Sequence, residues 1–348
     1  MFEKLEDYPE ATILHHVEPD GTLWGTKGRW IMRQHAESTW DRIGKFPFAV
    51  PRDLFGFSRP TSRAMRADKS NLFVNSKGRT LCIRASRVYS MNEDQSLRPL
   101  FEIQGDSVLH GGICEDEEGW TYFGEYFMNP KRRPVRIWRI DADFNEWEVA
   151  YEFPPGSVRH IHGIYADSHD PGALWACTGD DTGECFFLRT TNAFRTMEMF
   201  GDGSQLWRAV RLHFNETYIC WLTDSQLEQN YACRMRREDG NLERGHAIEA
   251  PVWFGTKTDD ELYIAFTTVE PGASVKRDTA AVLISNDGFD WQEIHSFEKD
   301  AWRPMKLFKY GVISMPSGKM NSKSVYMSGE GLVGFDGRSM KARVGEKE

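Results

Sequence analysis

Two histidines one residue apart, followed by two adjacent acids, are the residues of this chain best suited to chemistry. They stand in Arg159-His160-Ile161-His162-Gly163 and in Thr178-Gly179-Asp180-Asp181. Alternate side chains of a strand share a face, so His160 and His162 point the same way. A carboxylate beside such a pair suits proton transfer or metal ligation. Similar groups recur along the chain. His110 precedes Gly111-Gly112, Glu125-Tyr126 follows Gly124, and Gln205 and Arg208 flank Leu206-Trp207. Asp224 follows Thr223, Trp253 follows Val252, and Glu270 follows Val269. The catalytic candidates are His110, Glu125, His160, His162, Asp180, Asp181, Asp224 and Glu270, because carboxyl and imidazole groups move protons. The substrate-binding candidates are Arg63, Tyr126, Arg159, Gln205, Arg208 and Trp253. Arginines clamp carboxylates in two-pronged fashion, and Arg303 belongs to the same candidate set. Trp221 and Trp253 can stack on sugar rings or pack between sheets.

A repeat brings these residues together. A unit of strand, turn, strand, loop, strand and strand recurs roughly every 45 to 50 residues, the spacing of propeller repeats. Its clearest copy runs from His110 to Pro154, with the turn Glu115 to Gly119 between its first two strands. Units are expected at 9–50, 60–106, 108–156, 158–202, 205–249, 250–301 and 303–344, with a Pro- and Gly-bearing connector at 51–59. A lone four-stranded sheet exposes both faces, and radial stacking buries them. The fold class is therefore all-β, a β-propeller of seven four-stranded blades forming one domain over residues 1–348. Six is the alternative count if the first stretch only pairs with the C-terminal strands. In such a ring the start of each first strand and the loop after each second strand share one rim. That rule also places Lys77, Arg303, Lys306 and Lys319 there.

Composition narrows the classes. The net charge of -9 has both signs interspersed and no basic stripe, which argues against nucleic-acid binding. Cys82, Cys114, Cys177, Cys185, Cys220 and Cys233 lack C-x-x-C spacing, so buried free thiols are expected rather than zinc or disulfides. No apolar run reaches membrane-helix length and the first residues lack a signal pattern, so a soluble, cytoplasmic protein with no membrane partner is expected.

Ser285-Asn286-Asp287-Gly288-Phe289-Asp290-Trp291 resembles a shortened Asp-box of the sialidase-like BNR repeat propellers. Asp141 to Trp147 is a degenerate copy, and Thr190 to Phe194 a poorer one. The resemblance implies a turn between the third and fourth strands of a blade, with the Trp packed between sheets. Phe57-Ser58-Arg59-Pro60 is distantly similar to the family's Phe-Arg-Ile-Pro element, in a different order. The family binds its acidic sugar through three arginines and pairs a Tyr with a Glu. Glu125 and Tyr126, as neighbours in one strand, point to opposite faces instead.

The first functional reading is a glycoside hydrolase on an acidic saccharide, using paired carboxylates at the channel mouth and no cofactor. The second is a polysaccharide or oligosaccharide lyase, in which His, Tyr and Arg act and a divalent metal can neutralise the uronate. The third is a non-catalytic sugar-binding propeller. Carbohydrate is the expected partner in all three.

Overall fold

Seven antiparallel sheets stand around one axis in the computed structural model, which describes residues 1–35, 38–56 and 58–345. The fold is a seven-bladed β-propeller, as the repeat predicts. The inner strands are Ile13–Val17, Asn71–Val74, Ile113–Glu115, His160–Ala166, His213–Phe214, Val252–Lys257 and Val312–Ser314. The fourth blade shows the pattern, adding Leu174–Gly179, Cys185–Thr190 and Glu198–Gly203 in sheet order. Its second strand is buried throughout, while its outermost strand is mostly exposed or half-exposed. Near-continuous apolar runs suit strands covered on both faces.

The ring closes through its ends. Phe2–Tyr8, which the repeat left unassigned, pairs antiparallel with Arg338–Val344 as the outermost strand of the seventh blade. Ser317–Gly318 adds a parallel pair to Ile13–Val17, giving the first blade five strands. These pairings cover edges that would otherwise stay open.

The expected register fails where a helical turn precedes an inner strand: in the fifth unit, where Gln205–Trp207 is a 3-10 helix ahead of His213–Phe214, and in the second and seventh. Residues Arg59–Met65 form a helix, not the approach to an inner strand, and Ser58 caps it reciprocally with Thr61. Ser-x-x-Thr with Pro60 in the first turn is a helix start, so the true inner strand begins only at Asn71. Lys77 consequently lies in the hairpin between the first two strands, on the rim away from the mouth. Met305–Phe308 is a short helix after Pro304, so Lys306 and Arg303 precede an inner strand that starts at Val312. Lys319 lies between that strand and Val325–Glu330, again on the far rim.

The Asp-box resemblance places its turns correctly. Asp287 Oδ1 accepts from the amides of Phe289 and Asp290, and Trp291 Nε1 donates to the Gly288 carbonyl at 3.1 Å. Gly288 has φ +76°, which glycine adopts without strain. Asp141 and Thr190 shape the equivalent turns, where buried Phe144 and Phe194 take positive φ instead. In the Phe57 to Pro60 element, Phe57 lies outside the described residues. All six cysteines are free, and all but Cys114 are buried. No described helix is long and apolar enough to cross a membrane.

Candidate active site

Six of the sequence candidates meet where the fourth, fifth and sixth blades approach the axis: His160, His162, Asp180, Arg208, Asp224 and Glu270. Local structure explains the first three. His160 pairs opposite Gly179, so Asp180 is the next residue beyond the partner strand. The pairing slips between Ile161 and Gly163, and this bulge re-aims His162. Gly163 is needed there, because a Cβ would lie 2.2 Å from the Tyr165 hydroxyl and 3.0 Å from the Gly112 Cα of the neighbouring inner strand.

His160 Nε2 and His162 Nε2 lie 3.1 Å apart, and Asp180 Oδ1 is 3.2 Å and 3.1 Å from them. The opposite ring nitrogens face main-chain oxygens at 2.9 Å, His160 Nδ1 that of Phe127 and His162 Nδ1 that of Ala209. Both rings are buried, and burial lowers the His160 pKa against the opposing pull of Asp180. Asp180 Oδ1 also pairs with Arg208 Nη2 at 3.0 Å, and Oδ2 accepts from Arg159 Nη1 at 3.0 Å. Burial opposes its charge; protonated rings at His160 and His162, together with Arg208, would hold it well below the usual carboxylate range. Gln205 is a brace: its amide donates to the Asp180 carbonyl at 2.9 Å and accepts from Ser225 at 2.7 Å. These three side chains, His160, His162 and Asp180, are a set of the kind that can hold a metal ion.

Asp224 and Glu270 form a second, separate group. Trp253 Nε1 donates to Asp224 Oδ1 at 2.7 Å and also faces Glu270. Arg208 Nε is 3.4 Å from Asp224 Oδ2. Burial raises both carboxyl pKa values, and the neighbouring Asp224 charge adds to it at Glu270, pushed up to about 8. Glu270 Oε1 is buried with no hydrogen-bond partner. A neutral Glu270 beside an ionised Asp224 would make opposed acid and base roles available.

Tyr126 joins the mouth, its ring 4.2 Å from that of His160. Glu125 does not. As strand alternation requires, its carboxylate turns the other way and is fully buried. There it accepts from the Gln104 amide, the Gln104 side chain, the Arg136 amide and the Trp138 indole. It is a structural clamp between blades. His110 also leaves the group. It packs on His15 and Phe254, whose inner strands belong to other blades, so it fills the channel at the axis. Its Nε2 lies 2.8 Å from the Met315 carbonyl, and burial lowers its pKa to about 4.

The expected arginine clamp is spent internally. Arg63, placed on the helix, is buried against Asp300 and Asp336. Arg159 bridges Asp180 and Asp181, and Asp181 is further held by Arg132 on the rim. Arg303 donates to the main chain of Asp300 and Trp302. Trp221 is fully buried, its indole donating to the Leu206 carbonyl.

Two lysines take the place the arginines leave. Lys69 Nζ sits 5.7 Å over the Tyr126 ring, and Lys309 is close enough to repel it. Neither has an ion-pair partner within 4.0 Å among the described residues. Burial lowers Lys69 to about 7, Lys309, Arg66 and Arg52 adding to this and Asp106 opposing it; burial lowers Lys309 too. Their signal was position: each lies shortly before an inner strand, but the misread helices hid those strand starts. A hollow of about 480 Å³ on the opposite rim, beside the Asp-box turn, holds no comparable set; its Asp287 is occupied by main-chain amides.

Fold and site together define a seven-bladed β-propeller with buried acids, imidazoles and cations at one end of its channel. No protein-family model matches the chain, and no curated protein matches it in sequence. Among solved structures it is similar to an oligogalacturonate lyase from Vibrio parahaemolyticus, with TM-score 0.60 and 9% identity over 99% of this chain and 97% of that one. A chain of a mitotic checkpoint complex gives TM-score 0.61 and 9% identity, covering 99% and 91%. YCF48 bound to D1 peptide gives 0.55 and 10%, covering 99% and 95%. Identities this low show a shared fold, which enzymes and binding proteins both use.

Proposed function

We propose that this propeller is a carbohydrate-active enzyme that binds an anionic saccharide at the mouth and cleaves it by β-elimination. The observation that carries this reading is the buried Asp224–Glu270 pair, whose charges reach Tyr126, with Lys69, unpaired among the described residues, over the ring of that same tyrosine. In such a reaction a base removes the proton next to a uronate carboxylate. The C–H electrons form the alkene as the C–O bond to the departing sugar breaks, and that oxygen then takes up a proton. A carboxyl with a raised pKa is a strong base for the first step once ionised. Lys69 and Lys309 neutralise the uronate, which acidifies the neighbouring C–H. In this reading Tyr126, whose ring has Lys69 and His160 as neighbours, protonates the leaving oxygen. One structural neighbour carries the name of an oligogalacturonate lyase, which is compatible with this class and adds only the fold.

Hydrolysis is the second reading. It is favoured by the opposed states of Glu270, neutral near pH 7, and Asp180, ionised. Asp180 is the weaker part of that reading, because two histidines and two arginines already occupy its oxygens. Incubation with uronate-containing and sialylated oligosaccharides separates the readings. Elimination gives a conjugated alkene seen by ultraviolet absorbance. Reducing ends without that absorbance would replace it by hydrolysis, and binding without any cleavage would leave a lectin-like propeller.

A further inference from the structure

We infer that His160, His162 and Asp180 bind one divalent first-row transition-metal ion at the mouth. A carbonyl oxygen only accepts, so the contacts to Phe127 O and Ala209 O require that both Nδ1 atoms carry the ring hydrogen. In the neutral rings both Nε2 atoms then present lone pairs, and they present them to each other at 3.1 Å. Asp180 Oδ1, a third acceptor, closes the triangle at 3.1 Å and 3.2 Å. Three acceptors at that spacing repel unless something positive lies among them. A single added proton can bridge only one of the three contacts. A metal ion bridges all three.

The spacing suits it. Bonds of about 2.0–2.2 Å to one tetrahedral or octahedral ion place neighbouring ligand atoms roughly 2.8–3.6 Å apart. The surroundings suit it too. A metal-bound histidine usually donates its second ring N–H to a carbonyl or carboxylate, which sets the tautomer, and both rings here do so. Asp180 is itself braced by Arg208 and Arg159, as ligating carboxylates commonly are. Two imidazoles and one carboxylate select zinc, manganese, iron, cobalt or nickel over magnesium or calcium. Three protein ligands leave coordination positions for water or a substrate oxygen. The inference goes beyond the saccharide reading and stands on these atoms alone.

The test uses the full chain, stripped with chelator and titrated with Co²⁺. We expect one equivalent to bind with a visible d–d band, a higher unfolding midpoint, displacement by Zn²⁺ and no competition from Mg²⁺. His162→Ala should weaken the affinity at least 100-fold, and His160→Ala likewise. If folded wild-type protein takes up no stoichiometric Co²⁺ or Zn²⁺, or if both variants bind as tightly as wild type, the inference fails. The saccharide reading fails separately: metal uptake without any cleavage overturns it alone. Undiminished cleavage by metal-free protein, with no uptake on titration, overturns the metal alone.

Discussion

Arg208 holds Asp180 twice, with Nη2 3.0 Å from the carboxylate Oδ1 and Nη1 3.2 Å from the main-chain carbonyl of the same residue. Its Nε meanwhile faces Asp224 at 3.4 Å. One buried guanidinium thus joins the imidazole group to the carboxyl pair.

Removing it should be costly. Arg208→Ala leaves Asp180 and Asp224 facing one cation fewer, and breaking a buried ion pair costs about 3–5 kcal/mol. Arg208→Lys should recover only part of this, because an ammonium cannot span the same fork. Denaturant unfolding of the two variants checks the ranking.

Stability should fall as pH rises across the range where Glu270 titrates. Its carboxyl, 4.5 ordinarily and about 8 here, binds a proton in the folded state that the unfolded chain has lost. Between those two values the folded protein is the better proton binder, so its advantage is full below about 4.5 and gone above about 8. The slope is on the order of 1.4 kcal/mol per pH unit. Glu270→Gln, which cannot ionise, should flatten this profile and be the more stable protein at high pH. The same change should reduce turnover roughly 10²- to 10⁴-fold. Parallel denaturation and rate profiles against pH read both effects.

Anion binding should weaken as pH rises through about 7, because Lys69 binds a carboxylate only as an ammonium. Lys69→Met should lower affinity for an acidic saccharide about tenfold, the equivalent of roughly 1.4 kcal/mol. It should also reduce the sensitivity of binding to salt. Calorimetric titration at several pH and salt values measures these changes; an unchanged affinity would remove Lys69 from the site.

Glu125→Ala should damage stability rather than chemistry. It orphans the Gln104 and Arg136 amides and the Trp138 indole, at about 1–3 kcal/mol for each donor left buried. Turnover per folded molecule should stay near wild type, whereas a loss of turnover in fully folded protein would return Glu125 to the site.

Much of the architecture was legible in local pattern. The spacing brought His160 and His162 to one strand start, where a bulge completes their approach, and the repeat brought Asp180, Asp224 and Glu270 to the same rim. The repeat was legible because strands, turns and their spacing are local properties. Its misplacements were local too: the cap at Ser58 and the short helix after Pro304 shifted the apparent strand starts, which moved Arg63 inward and hid Lys69 and Lys309.

By itself the sequence determined a ring of repeated four-stranded sheets and, for the third to sixth units, which loops share its mouth. Only the tertiary structure decided which charges there are already spent. Arg63 and Arg159 look as available as Lys69 in one dimension, but Asp300 reaches Arg63 from a distant blade and Asp181 reaches Arg159 from the facing loop of its own blade. It also decided that Tyr126, not Glu125, faces the histidines, and that His110 packs on His15 across the axis. Pairing, burial and the pKa values they set depend on side chains meeting across many residues of intervening chain, and spacing along that chain does not carry this information.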